Sequence, residues 1–243
     1  LEVGMIIDER GDNKDISAEI VSLAVRGYLK IGAVEEEGLI KRKPSFEFTQ
    51  LKPSKDLKSE HEKTIMTALF GKDQENVKPE KVALIGIQYT SKTFDEIRGV
   101  DGLVIGELIR KGYFRSNPSF VRGMYILTGV LIIFFGFFSI GLFLTPALAA
   151  MSFFISGLIP IIFSKWMPVR TKKGVLAREH ILGLENYLQV AEADRIRFHN
   201  APEKSPQIFE KLLPFAMVLG VEKAWAKQFE NIYTTSPDWY EGS

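Results

Sequence analysis

The sequence predicts an α+β chain that is mostly helical: winged-helix-like cytoplasmic units, a two-helix transmembrane hairpin and a C-terminal helical segment. Three observations carry this. Gly123–Ser164 contains no Asp, Glu, Lys, Arg or His, although a quarter of the 243 residues are charged. The ending "RGY" or "KGY", an apolar residue and a further basic residue closes two apolar-periodic runs, at Leu23–Lys30 and Glu107–Arg115. Beyond the charge-free stretch, apolar residues recur at helical spacing. Four parts follow: residues 1–71, a winged-helix-like unit; 72–122, a second helix-turn unit leading to the membrane; 123–167, the hairpin; 168–243, a C-terminal cytoplasmic helical segment.

The first unit opens with a helix. Asp15 is the expected N-cap, with Ser17 as alternative. Ile16, Ile20, Leu23, Ala24 and Leu29 keep helical spacing, and Gly27 falls where glycine closes a helix. Two strands are expected at Leu29–Val34 and Ser45–Leu51, with Gly38 and Pro44 in the loop. Ser59–Phe70 reads as a helix stopped by Gly71. Helix, Gly-Tyr turn, hairpin and helix follow one another as in a winged-helix module. The second unit repeats the helix and the Gly-Tyr ending after a short apolar run, "EKVALIGI", but has no wing of its own. Tyr28 and Tyr113 are expected to be structural, each filling the gap between its helix and the departing chain.

The charge-free stretch is too long for one membrane span and suits two, since about 20 apolar residues cross ~30 Å of hydrocarbon. The spans are placed at Met124–Leu144 and Ala147–Trp166, divided at Thr145-Pro146. Gly129, Gly136 and Ser139 share one side of the first helix. Ala149, Ser152 and Ser156 share one side of the second, and small residues let helices approach closely in lipid. Pro160 is expected to kink the second span. Basic residues flank both outer ends: Arg110, Lys111, Arg115 and Arg122 before, then Lys165, Arg170, Lys172 and Lys173 after. By the positive-inside rule, both flanks face the cytoplasm of a multi-pass protein of the cell membrane, with Tyr125 and Trp166 at the same interface.

In the last part, "TKKGVLAREHILGLENYLQVAEADRIRFH" is a long amphipathic helix through Ile181, Leu184, Leu188 and Ala191. A second helical stretch, from Ser205 to Tyr233, is expected to break at Pro214 and Gly220. Its aromatics, Trp225 included, read as core. Trp239 and Tyr240 of "SPDWYEG" read as an anchor that packs back.

The same residues restrict function. With no Cys, thiolate metal sites and disulfides are excluded. No signal peptide is visible after Leu1, and the chain reads as a processed or partial one. His61, His180 and His199 stand far apart without the spacing of a metal site. No phosphate-binding loop, nucleophile elbow or kinase signature occurs. No catalytic, metal or cofactor-binding residue is therefore expected, and no cofactor. The paired carboxylates of "EADRIR" fit helix-surface ion pairs. Leu1–Arg122 holds 20 Lys+Arg and 20 Asp+Glu, a net of zero, whereas duplex binding calls for a basic face. The expectation is a non-enzymatic, membrane-anchored interaction or signal-relay module. Its partners would be the lipid bilayer and another protein, or an upstream extracytoplasmic domain of the same polypeptide. A membrane-tethered winged-helix nucleic-acid binder is the alternative.

Taken together, "ISAEIVSLAVRGYLKI", "HEKTIMTALF", "ELIRKGYF", the hairpin, "LENYLQVAEADRIRF", "FEKLLPFAMVLGVEKAWAKQFE" and "PDWY" resemble the YciQ-like predicted membrane protein family, a bacterial and archaeal domain of unknown function. The resemblance runs through almost the whole chain in order. It implies membrane residence, and that this chain is the C-terminal part of a longer protein with a signal segment, a β-rich outer domain and a preceding transmembrane helix. It supplies no catalytic residue and no substrate.

Overall fold

A computed structural model describes residues 1–35, 44–71, 81–84, 99–141, 146–189, 205–230 and 237–241. It is mostly helical, with one small sheet. In chain order the elements are α1 (Glu2–Asp8), α2 (Asn13–Val25), β1 (Leu29–Glu35), β2 (Pro44–Gln50), α3 (Glu60–Phe70), β3 (Lys81–Leu84), α4 (Val100–Arg110), α5 (Pro118–Gly141), α6 (Ala147–Phe163), α7 (Lys172–Gln189), α8 (Pro206–Leu219), α9 (Glu222–Lys227) and β4 (Tyr240–Glu241). Short 3₁₀ turns occupy Ser54–Asp56 and Ser164–Trp166. Two compact units result. Leu1–Val104 joins Glu179–Ser243 in one, and Ile105–Arg178 forms the other.

In the first unit, α2 begins earlier than its apolar period suggests. Asp12 is the N-cap, and Asp15 lies three residues inside the helix in a capping box. The Asp12 amide donates to Asp15 Oδ2 at 3.1 Å, so Asp15 caps from within rather than from outside. The short helix α1 lies over this carboxylate. A side chain at Gly4 would collide with it, so glycine permits the close approach.

The strands β1 and β2 pair antiparallel from Leu29↔Gln50 to Glu35↔Pro44. The sheet has the order β3-β2-β1-β4. β3 lies antiparallel to β2, from Phe46↔Leu84 to Thr49↔Lys81. β4 lies parallel to β1, with Ile31 opposite Tyr240 and Gly32 opposite Glu241. The tail therefore packs back as a strand. The Ile31 amide donates to the Trp239 carbonyl at 2.9 Å, and Lys30 pairs with Glu241. Gln50 closes β2 one residue before the expected end. Helix α3 takes Ser59 as N-cap and stops at Gly71.

Two sets of apolar side chains fill this unit. Met5, Leu23, Leu29, Ile65 and Met66 are essentially inaccessible. Leu188, Ala216, Val221, Trp225 and Phe229 form a second cluster, with Phe209, Leu212 and Leu213 against it. Trp225 and Phe229 rings meet at 4.7 Å, and the Trp225 indole N–H donates to the Phe209 carbonyl at 3.3 Å. The expected break at Pro214 does not occur: α8 runs through it to Leu219. Proline removes one backbone bond, but Pro214 and Ala216 are buried, and burial of this face holds the helix together. Gly220, at φ 73°, ends it as expected. The helix after the hairpin is described to Gln189; the rest of its expected length, "VAEADRIRFH", lies outside the described residues, as do Gly38 and Thr145.

Candidate membrane interface

The second unit is built on α5 and α6. The sequence gives α5 a charge-free run from Gly123 onward. Among the described residues it is the one helix long and apolar enough to cross a membrane, at Pro118–Ser139. Only 11% of its most apolar window is buried, whereas a soluble core helix would bury most of it. Phe134, Phe135, Phe137 and Phe138 are each more than half exposed. The 17-residue α6 is equally apolar and exposes Met151, Ile155, Ile159 and Ile162.

The helices lie antiparallel across a glycine contact. A Cβ on Gly129 would strike the Gly157 carbonyl and Ile161, one on Gly157 would strike Ile133, and one on Gly136 would strike Phe153. Gly129 and Gly136 thus lie in the interface, and Ser139 is half-buried with its hydroxyl donating to the Gly136 carbonyl at 2.9 Å. The face of α6 differs from the expected one. Ser152 and Ser156 are exposed, and Phe153, Gly157 and Ile161, four residues apart, meet α5 instead. The reason is size: glycine lets the backbones touch where serine would hold them apart, and the flanking Phe and Ile fill the space beside the contact. Ala149 lies in α6, within its first turn. Helix α6 continues through Pro160 to Phe163.

The repeated ending has a shared geometry. Gly27 and Gly112 take φ 74° and 78°, values that glycine adopts without a Cβ penalty. The Tyr28 amide donates to the Leu23 carbonyl at 2.9 Å and the Gly27 amide to Ala24 at 2.8 Å. Tyr113 bonds Leu108 at 2.9 Å and Gly112 bonds Ile109 at 2.9 Å. Both are Schellman closures. In each case the chain then returns to the helix end. Leu51 and Lys52 amides donate to the Tyr28 carbonyl at 2.9 and 3.2 Å, and the Thr171 amide donates to the Tyr113 carbonyl at 3.1 Å. A lysine completes each closure. Lys52 Nζ donates to the Arg26 carbonyl at 3.4 Å and lies 5.3 Å from the Tyr28 ring. Lys173 Nζ donates to the Lys111 carbonyl at 2.7 Å and lies 4.7 Å from the Tyr113 ring. An ammonium at the carbonyl end of a helix and over an aromatic face is favourable on both counts. Between Tyr28 and Lys52 the chain forms the β1–β2 hairpin; between Tyr113 and Lys173 it forms the α5–α6 hairpin. One helix-end device thus anchors two different hairpins.

The expected interface residues gather at the outer end of α5 and α6. Arg122 is half-buried in the second turn of α5, and Tyr125 is 38% exposed one turn on. Lys165 and Trp166 follow α6, with Trp166 67% exposed and its ring 5.9 Å from Phe163. Arg170 bridges Phe114 and lies 5.9 Å from its ring. Lys172 is exposed at the start of α7. Of the four structural aromatics, Trp225 is fully buried. Tyr28, Tyr113 and Trp239 are half-buried, and Trp239 lines an open apolar groove of about 370 Å³ with Phe209, Phe229 and Tyr240.

One constellation escapes reading along the chain. Glu19 of α2 and His61 and Glu62 of α3 place ligand-type atoms within 4.8 Å of one another. Arg26 supplies the counter-charge, at 2.7 Å from Glu62 and 3.8 Å from Glu19. The grouping reads as an ion-pair cluster between two helices, and the 42 residues from Glu19 to His61 hide it from any local pattern.

A family model described as "Predicted membrane protein (DUF2207) C-terminal domain" matches residues 1–229. No curated protein and no solved structure matches the chain significantly.

Proposed function

The chain belongs to the predicted membrane protein (DUF2207) C-terminal domain family, and from that premise we propose a membrane-anchored, non-enzymatic interaction or signal-relay module. The α5–α6 hairpin crosses the bilayer twice, and the segments on either side of it lie in the cytoplasm. The winged-helix-like arrangement of α2, β1, β2 and α3, together with the C-terminal helices, presents the surface for another protein or relays the state of an outer domain. The observation that carries this reading is the pairing through glycine of two helices that carry no charge from Gly123 onward, while their large apolar side chains face outward. In water, so much exposed apolar surface is strongly unfavourable; in lipid it is the ordinary arrangement. The basic outer ends support the orientation.

Alkaline carbonate extraction of membranes that carry the full chain tests the anchoring. The chain is expected in the membrane pellet. Release into the supernatant, as for a peripheral protein, contradicts the reading.

A further inference from the structure

The charges of this chain are sharply segregated, and its overall +1 conceals it. The unit Ile105–Arg178 holds nine Lys and Arg and one carboxylate, Glu107. The rest of the chain holds 22 Lys and Arg against 29 Asp and Glu. The excess of eight positive charges therefore belongs to the unit that carries the hairpin, while the remainder is acidic. Glu107 pairs with Lys111 at 3.2 Å, so it does little to offset the others.

These nine bases lie outside Gly123–Ser164. In the antiparallel hairpin, Arg122 and Lys165 thus mark the same end, and the turn end is uncharged in sequence. Arg115, Lys165 and Lys172 are exposed. The Arg115 amide reaches the Val169 carbonyl at 3.5 Å, which ties the start of α5 to the chain leaving α6. Phe120 and Trp166, each 67% exposed, stand at this end too. Exposed cations and aromatics at one end of the hairpin, bordering a charge-free run of about 28 Å beyond Arg122 to Gly141 at 1.5 Å per residue, have the layout of a headgroup-level contact.

We infer that the base of the α5–α6 hairpin is a binding surface for anionic phospholipid headgroups, with Arg115, Lys165 and Lys172 as its exposed cations. The occupant follows from charge complementarity. Basic residues next to a span are drawn to anionic lipid, and the carboxylate-rich remainder of the chain is not. The inference rests on the membrane reading above and adds a lipid class to it.

The test uses the full chain reconstituted in mixed phosphatidylglycerol–phosphatidylcholine vesicles, with spin-labelled forms of each lipid as probes. Phosphatidylglycerol should associate with the protein about fivefold more strongly than phosphatidylcholine, the order expected for a basic residue at the surface. The triple variant Arg115→Gln, Lys165→Gln, Lys172→Gln should bring the two lipids close to equality. The pair Lys211→Gln, Lys223→Gln, exposed in the other unit, should leave the preference intact. Equal association in the native chain, or a preference untouched by the triple variant, overturns the inference while the hairpin stays in lipid. Duplex DNA held at the vesicle surface and lost in the triple variant, with no lipid preference, assigns the charge to nucleic acid and overturns it as well. If neither probe is immobilised, the membrane reading itself fails.

Discussion

Lys52 and Lys173 perform the same task from unrelated elements, one after a strand and one in the first turn of a helix. Each closes a Gly-Tyr helix end by meeting a carbonyl and an aromatic face. Replacing Lys173 by Met keeps most of the stem but removes the charge. A loss of about 1 kcal/mol is expected, the order of an exposed cation–π contact with a modest hydrogen bond. Because Tyr28 is half-buried, Tyr28→Ala should cost about 2 kcal/mol, and Trp225→Ala, in the core, about 3–5 kcal/mol. Thermal unfolding of the detergent-solubilised chain orders the three; a Tyr28 effect as large as that of Trp225 would contradict the assignment. Asp15 offers a pH test. Burial raises its carboxyl above the ordinary 3.8, so the folded state binds a proton that the unfolded state has released. Stability from this group is present below pH 3.8 and is lost as pH rises through the folded value. Asp15→Asn should flatten that decline and keep an oxygen for the Asp12 amide. An unchanged pH profile of unfolding would show that Asp15 does not titrate differently on folding.

Among the elements, those governed by local rules were legible. The β1–β2 hairpin, α3 and the glycine stops at Gly27, Gly71 and Gly220 follow from turn residues and apolar period; Ser59 precedes α3 rather than opening it as expected. The face of α6 was not legible from small residues alone. Ser152 and Ser156 are as small as an interface could ask for, but the rotation of α6 is set by where Gly157 can meet Gly129. The clue was the four-residue spacing of Phe153, Gly157 and Ile161. Gly157→Leu should therefore separate α5 and α6 and lower the melting temperature in detergent by several degrees, whereas Ser152→Leu should leave it nearly unchanged. Equal losses would return the interface to the serine face.

At the scale of the whole molecule, long-range pairings were the hidden part. Nothing near Trp239 and Tyr240 says that they extend the sheet beside β1, and nothing near Glu19 says that it meets His61. Such contacts depend on residues tens to hundreds of positions apart, and no periodicity encodes them. The charge-free stretch and its basic borders, by contrast, were plain, because they are contiguous in the sequence. The proposed topology is a hairpin with both flanks on the cytoplasmic side. The chain has no Cys, so single cysteines can be placed at the exposed positions Lys58, Pro146 and Lys227. In intact cells, an impermeant thiol reagent should label Pro146→Cys and spare Lys58→Cys and Lys227→Cys until the membrane is opened. Labelling of Lys58→Cys and Lys227→Cys on opposite sides would contradict the account.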